Sequence, residues 1–67
     1  MAKIQINGKK INIKPNFSIF DLLLKYKLSK KRIAIECNGK IIAKSNYKKK
    51  LLKDNDNVEI VHFIGGG

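Results

Sequence analysis

A chain of 67 residues with 15 Lys and Arg against five Asp and Glu, a formal charge of +10, makes one small domain whose core buries only about 60% of the surface its unfolded form exposes. That leaves no room for a second domain and little for a deep substrate pocket, so function is expected at a surface or at a reactive end. The longest apolar runs, such as Leu22-Leu23-Leu24, fall far short of the ~20 residues that cross a bilayer; the single Cys37, and first residues without a signal-peptide pattern, predict a soluble cytoplasmic protein.

Lys3-Ile4-Gln5-Ile6 and Lys10-Ile11-Asn12-Ile13-Lys14 both alternate polar with apolar residues, and Asn7-Gly8 lies between them. Because Asn and Gly tolerate positive φ, this predicts a β-hairpin with Ile4, Ile6, Ile11 and Ile13 on its buried face. Pro15 ends the second strand, and Ser18 with Asp21 three residues on is the pattern of a capping box. The helix that follows is expected to bury Ile19, Leu22, Leu23 and Tyr26, to expose Asp21 and Lys25, and to stop near Leu28-Ser29. Lys30-Lys31-Arg32 then reads as a solvated connection.

Arg32 to Cys37 alternates again and leads through a second Asn-Gly, Asn38-Gly39, into the short strand Ile41-Ile42, predicting a second hairpin. From Ser45 to Lys53 the pattern is weak, with Tyr47, Leu51 and Leu52 able to anchor a helical turn or a loop. Asp54-Asn55-Asp56-Asn57 is a turn cluster, and Val58 to Ile64 is the last strand. The order β, β, α, β, β, turn, β predicts an α+β β-grasp domain, a mixed sheet wrapped around one amphipathic helix over residues 1–64, with 65–67 as a separate glycine tail. Glu59 is expected to face away from the core, which sends Val58 and Ile60 inward. Val61 and Phe63 then share the outer face, with Ala34 close by on the neighbouring strand, as a partner interface.

The chain closes with Gly65-Gly66-Gly67. With no helix after them in this sequence, these glycines are not expected to make a phosphate-binding loop. They make a side-chain-free arm of roughly 10 Å ending in a carboxylate, able to thread a narrow slot in another protein. A frayed end is the plainer reading of the same residues. Cys37, on the inward parity of its strand, reads as a small core residue, His62 has no second ligand at metal spacing, and Lys48-Lys49-Lys50 reads as a solvated face. No Ser-His-Asp set, paired-cysteine motif or nucleotide fingerprint is present, so the chain is not expected to be an enzyme in its own right, and no metal or bound cofactor is expected.

The segments Ile35 to Ile42, Leu52 to Ile60 and Val61 to Gly67, taken with the order of elements, resemble the ThiS family of thiamin-biosynthesis sulfur carriers over essentially the whole chain. The family more often has Pro-Arg where this chain has Ala43-Lys44, and Asp-Gly-Asp where it has Asp54-Asn55-Asp56. The resemblance implies that Gly67 is the reactive residue, with Gly65 and Gly66 threading the partner. A ThiF-type adenylating enzyme would use ATP and magnesium to activate the Gly67 carboxylate, a sulfur donor protein would convert it to a thiocarboxylate, and a ThiG-type thiazole synthase would take the sulfur. A molybdopterin-synthase small subunit and a ubiquitin-like modifier share this chemistry. The high charge also admits a basic RNA-binding β-grasp module, but all basic residues save Arg32 are Lys, and no aromatic stacking ladder accompanies them.

Overall fold

The computed structural model describes residues 2–62. Five strands form one mixed sheet in the order β2-β1-β5-β3-β4: β1 (Ala2–Ile6), β2 (Lys9–Ile13), β3 (Ile33–Cys37), β4 (Lys40–Ile42) and β5 (Asn57–His62), with one α-helix, α1 (Ile19–Lys25), across one face. β5 lies at the centre, parallel to β1 and antiparallel to β3. This is the β-grasp arrangement.

Both Asn-Gly pairs make the tight turns expected of them, with Asn7 and Gly8 at φ 47° and 86° and Asn38 and Gly39 at 53° and 85°. The strand alternation holds as well: Ile4, Ile6, Ile13, Ile33, Ile35, Cys37, Val58 and Ile60 are buried, while Ile11 is half-buried beside the core. Glu59 is exposed, and Val58 and Ile60 point inward on either side of it.

α1 begins where the capping box places it. The Ser18 hydroxyl accepts from the Asp21 N–H at 3.0 Å, and the Asp21 carboxylate accepts from the Ser18 N–H at 3.0 Å. Ile19, Leu22 and Leu23 are buried as the helical spacing requires. Tyr26 is not: it is 42% exposed, because the helix ends a turn earlier than Leu28-Ser29. Lys27 adopts φ 55°, its N–H donates to the Leu24 carbonyl, and the Leu28 N–H donates to that of Leu23. These two bonds close a Schellman motif that turns the chain away before Tyr26 reaches the core, leaving Leu28 to pack against it instead.

Residues 44–52 settle as a 3-10 turn (Lys44–Asn46) followed by a loop that supports the start of α1. The Ile19 and Phe20 N–H groups donate to the Lys50 and Tyr47 carbonyls at 3.0 and 2.9 Å, and Leu52 N–H donates to Phe17 at 2.7 Å. Two of the helix's otherwise unpaired N-terminal donors are satisfied in this way. Tyr47 and Leu52 are buried anchors, whereas Leu51 is 47% exposed: its backbone makes an isolated bridge to Ser18, and its side chain faces outward. β3 also begins one residue later than its alternation suggested, since Arg32 closes a 3-10 turn over Lys30–Arg32.

Among the described residues, four of the five non-glycine residues at positive φ are Asn, and Lys27 is the exception. A lysine in this region carries Cβ strain that glycine at the same helix-ending position does not. Lys27→Gly is therefore expected to raise stability by about 0.5–1 kcal/mol, read as a higher midpoint in urea unfolding with an unchanged slope.

Candidate functional site

The outer face of the sheet carries the predicted interface residues that lie within 2–62. Ala34 and Val61 are direct cross-strand partners in the β3–β5 ladder; Val61 is 56% exposed and Ala34 half-buried. The next outward pair is Glu36 opposite Glu59, and Ile41, 70% exposed, stands opposite Glu36 on β4. Apolar Val61, Ala34 and Ile41 therefore border two carboxylates on this face. Like charges directly opposite one another on a ladder repel.

Ile41 is the member of this surface that sequence reasoning missed. Its signal was present in the dipeptide Ile41-Ile42, because adjacent strand residues face opposite sides and only one of them can reach a core. Phe63, Gly65, Gly66 and Gly67, and the division between body and tail drawn at residue 64, lie outside the described residues. β5 leads to them from the centre of the sheet, with His62 opposite Ile33 at the start of β3.

Cys37 and Tyr47 sit in the core beneath this face, each almost fully buried. Burial raises the Cys37 thiol above its ordinary 9.0, and nearby Asp56 raises it further against the opposing Lys50 and Lys53. Burial also raises the Tyr47 phenol, opposed by a hydrogen bond with the Ile35 backbone. A buried thiol held protonated is a poor nucleophile. Among the described residues no group of three His, Cys, Asp or Glu side chains could hold a metal ion, and no helix is long and apolar enough to cross a membrane. His62 is exposed at the end of β5.

A small β-grasp body in a chain whose sequence closes with Gly65-Gly66-Gly67 defines a ubiquitin-like carrier module. The model of the ThiS family matches residues 3–67. A sulfur carrier protein ThiS from Bacillus subtilis is 45% identical over 65 residues, covering 96% of this chain and 98% of that one. The chain belongs to the ThiS family of thiamin-biosynthesis sulfur carriers. A thiazole synthase from Paramagnetospirillum magneticum is 37% identical over 97% of this chain but only 20% of its own length, so a carrier-like segment forms part of that longer protein. The crystal structure of a thiamine biosynthesis protein (ThiS) from Geobacter metallireducens superposes with a TM-score of 0.78 at 26% identity, covering 97% of this chain and 99% of that one.

The buried positions carry their own expectation. Cys37 is expected to resist alkylation by a thiol reagent at pH 8 and to react at the rate of a free thiol once urea unfolds the chain. Both raised groups bind their protons more tightly when folded, so the stability they supply is complete below the unfolded values near 9 and 10 and is lost as pH rises through the folded ones. Thermal melts are expected to hold steady from pH 6 to 8 and to fall above about pH 9.

Proposed function

We propose that the chain carries sulfur on the carboxylate of Gly67 for assembly of the thiazole of thiamin, in the cytoplasm. A ThiF-type enzyme holding ATP and magnesium adenylates the carboxylate: one carboxylate oxygen attacks the α-phosphorus and pyrophosphate leaves. A donor protein supplying sulfur at the sulfide oxidation level then attacks the acyl carbon, AMP departs with the oxygen it gained, and a terminal thiocarboxylate remains. A ThiG-type thiazole synthase takes the sulfur from it.

The chemistry fits the residue type. A free carboxylate is a poor electrophile because its charge repels nucleophiles, and adenylation both removes the charge and supplies a leaving group. Glycine leaves the carbonyl unshielded and the arm thin. The carrying observation is the family match through residue 67, glycine run included, on a fold whose central strand is the last described element before that run in the sequence. The presence of a carrier-like segment within a thiazole synthase chain supports such an enzyme as the recipient. Val61 and Ala34, joined by Ile41, form the surface on which the partners dock, and the sequence alternation assigns Phe63 to the same interface.

Incubation with the activating enzyme, ATP, magnesium and a sulfur donor is expected to replace one oxygen by sulfur in the C-terminal peptide, read by mass spectrometry of that peptide so that oxidation of Met1 is not mistaken for it. Removal of Gly66 and Gly67 is expected to abolish the exchange; exchange in the shortened chain at the full rate would sink the proposal. Val61→Asp adds a third carboxylate beside Glu36 and Glu59 and is expected to raise the KM for the carrier by about tenfold, equivalent to ~1.4 kcal/mol, with the fold intact by circular dichroism.

A further inference from the structure

β1 runs parallel to β5 only at Gln5 opposite Asn57 and Ile6 opposite Val58, because the chain then turns away through Asn7-Gly8 into β2. Past Val58 the β1-facing edge of β5 has no strand beside it among the described residues. Asn7 fills the first gap. Its backbone N–H donates to the Val58 carbonyl at 3.0 Å, its Oδ1 accepts from the Ile60 N–H at 2.7 Å, and its Nδ2 donates to the Ile60 carbonyl at 3.3 Å. A carboxamide offers the same donor and acceptor as a peptide unit, so this side chain acts as one more rung of the parallel ladder. Without it, β5 beyond Val58 would be held from the β3 side alone and free to twist about that ladder.

We infer that Asn7 is a positioning residue for the terminal carboxylate: by gripping Ile60 it fixes the direction in which β5 leaves the sheet. The inference rests on the proposed carrier function. Glycine has no side chain through which a direction could be fixed, so the body sets the direction of the carboxylate-bearing end at β5 itself. The docking face carries Val61 and Ala34, whose outward parity is opposite to that of Ile60. Loss of the grip therefore leaves docking intact and lowers the fraction of docked carriers whose carboxylate reaches the partner's nucleotide, a loss of effective concentration at the reacting atoms.

The test uses the full chain with its adenylating enzyme, ATP and magnesium, following pyrophosphate release against carrier concentration, for the wild type, Asn7→Gly and Asn7→Asp. Glycine keeps the positive φ of the turn and removes the grip; aspartate keeps the acceptor of the shorter bond. Asn7→Gly is expected to lower kcat about three- to tenfold with KM within about twofold, and Asn7→Asp to recover at least half of the loss. A merely structural role would thin the folded population and raise the apparent KM at unchanged kcat, and that result, or an Asn7→Gly profile equal to wild type, overturns the inference. Amide exchange reads the grip with no enzyme present: Ile60 N–H is expected to exchange about tenfold faster in Asn7→Gly, and unchanged protection there overturns the inference by itself. A wild-type chain that supports no pyrophosphate release overturns the carrier function instead, and the exchange result still decides whether the grip exists.

Discussion

The register of β5 is the constraint on which the rest of this small structure depends. As the central strand it contributes Val58 and Ile60 to the core and Glu59 and Val61 to the outer face, so a slip of one residue would bury a glutamate and expose the core pair. Backbone ladders alone specify register weakly over a few residues. Polar side chains from both hairpin turns do the rest. Asn38 accepts from the Asn57 N–H at 2.8 Å and donates to Asp56 at 2.9 Å where β5 begins, and Asn7 grips Ile60 near its other end. Each Asn-Gly turn thus serves twice, once through the positive φ that reverses the chain and once through a side chain that pins the central strand.

The turn before β5 is built to the same end. Asp56 is nearly fully buried, yet its carboxylate accepts from the Lys53 N–H at 2.9 Å and from Asn38, so the buried charge is hydrogen-bonded. Asp54 accepts from the Lys3 N–H at 2.8 Å, and the Asn55 N–H donates to the Lys3 carbonyl, which ties the turn to the neighbouring β1. Asn55 sits between them at φ 72°, a conformation that Asn tolerates and Gly adopts without cost. The difference from the Asp-Gly-Asp more usual in the family is therefore an exchange between the two residues best suited to that backbone.

Most of this architecture was legible in the sequence because it is written in period and punctuation. Alternating isoleucines, two Asn-Gly pairs and Ser18 with Asp21 fix strands, turns and a helix start through local sterics and hydrogen bonding. The outward parity of Val61 and its meeting with Ala34 followed from one argument about a glutamate. The errors fall where backbone hydrogen bonds override side-chain period. Tyr26 has helical spacing with Leu22 and Leu23, but Lys27 pays the strain of a left-handed conformation, and the motif it closes ends the helix first. Residues 44–52 have little side-chain period because their backbone carbonyls receive the first donors of α1, and no pattern of side chains reports that. The second use of Asn7 and Asn38 was invisible for the same reason: their partners lie 53 and 19 residues away.

What the body contributes is geometry rather than chemistry. Its thiol is buried and held protonated, and its core is filled by side chains from every strand and the helix. A domain this small gains little from a pocket of its own, since each cavity removes contacts from a core that has few to spare. On the proposed carrier function the reactive group is moved off the body altogether, onto an arm that enters a partner's active site, and two demands remain for the fold. It must present a recognisable face, which the outward residues of β3, β4 and β5 supply, and it must aim the arm. Both demands fall on β5, because the strand that places Val61 on the docking face is also the strand that leads to Gly67: its ladder with β3 holds Val61 opposite Ala34, and the Asn7 grip on Ile60 sets the direction in which it leaves the sheet.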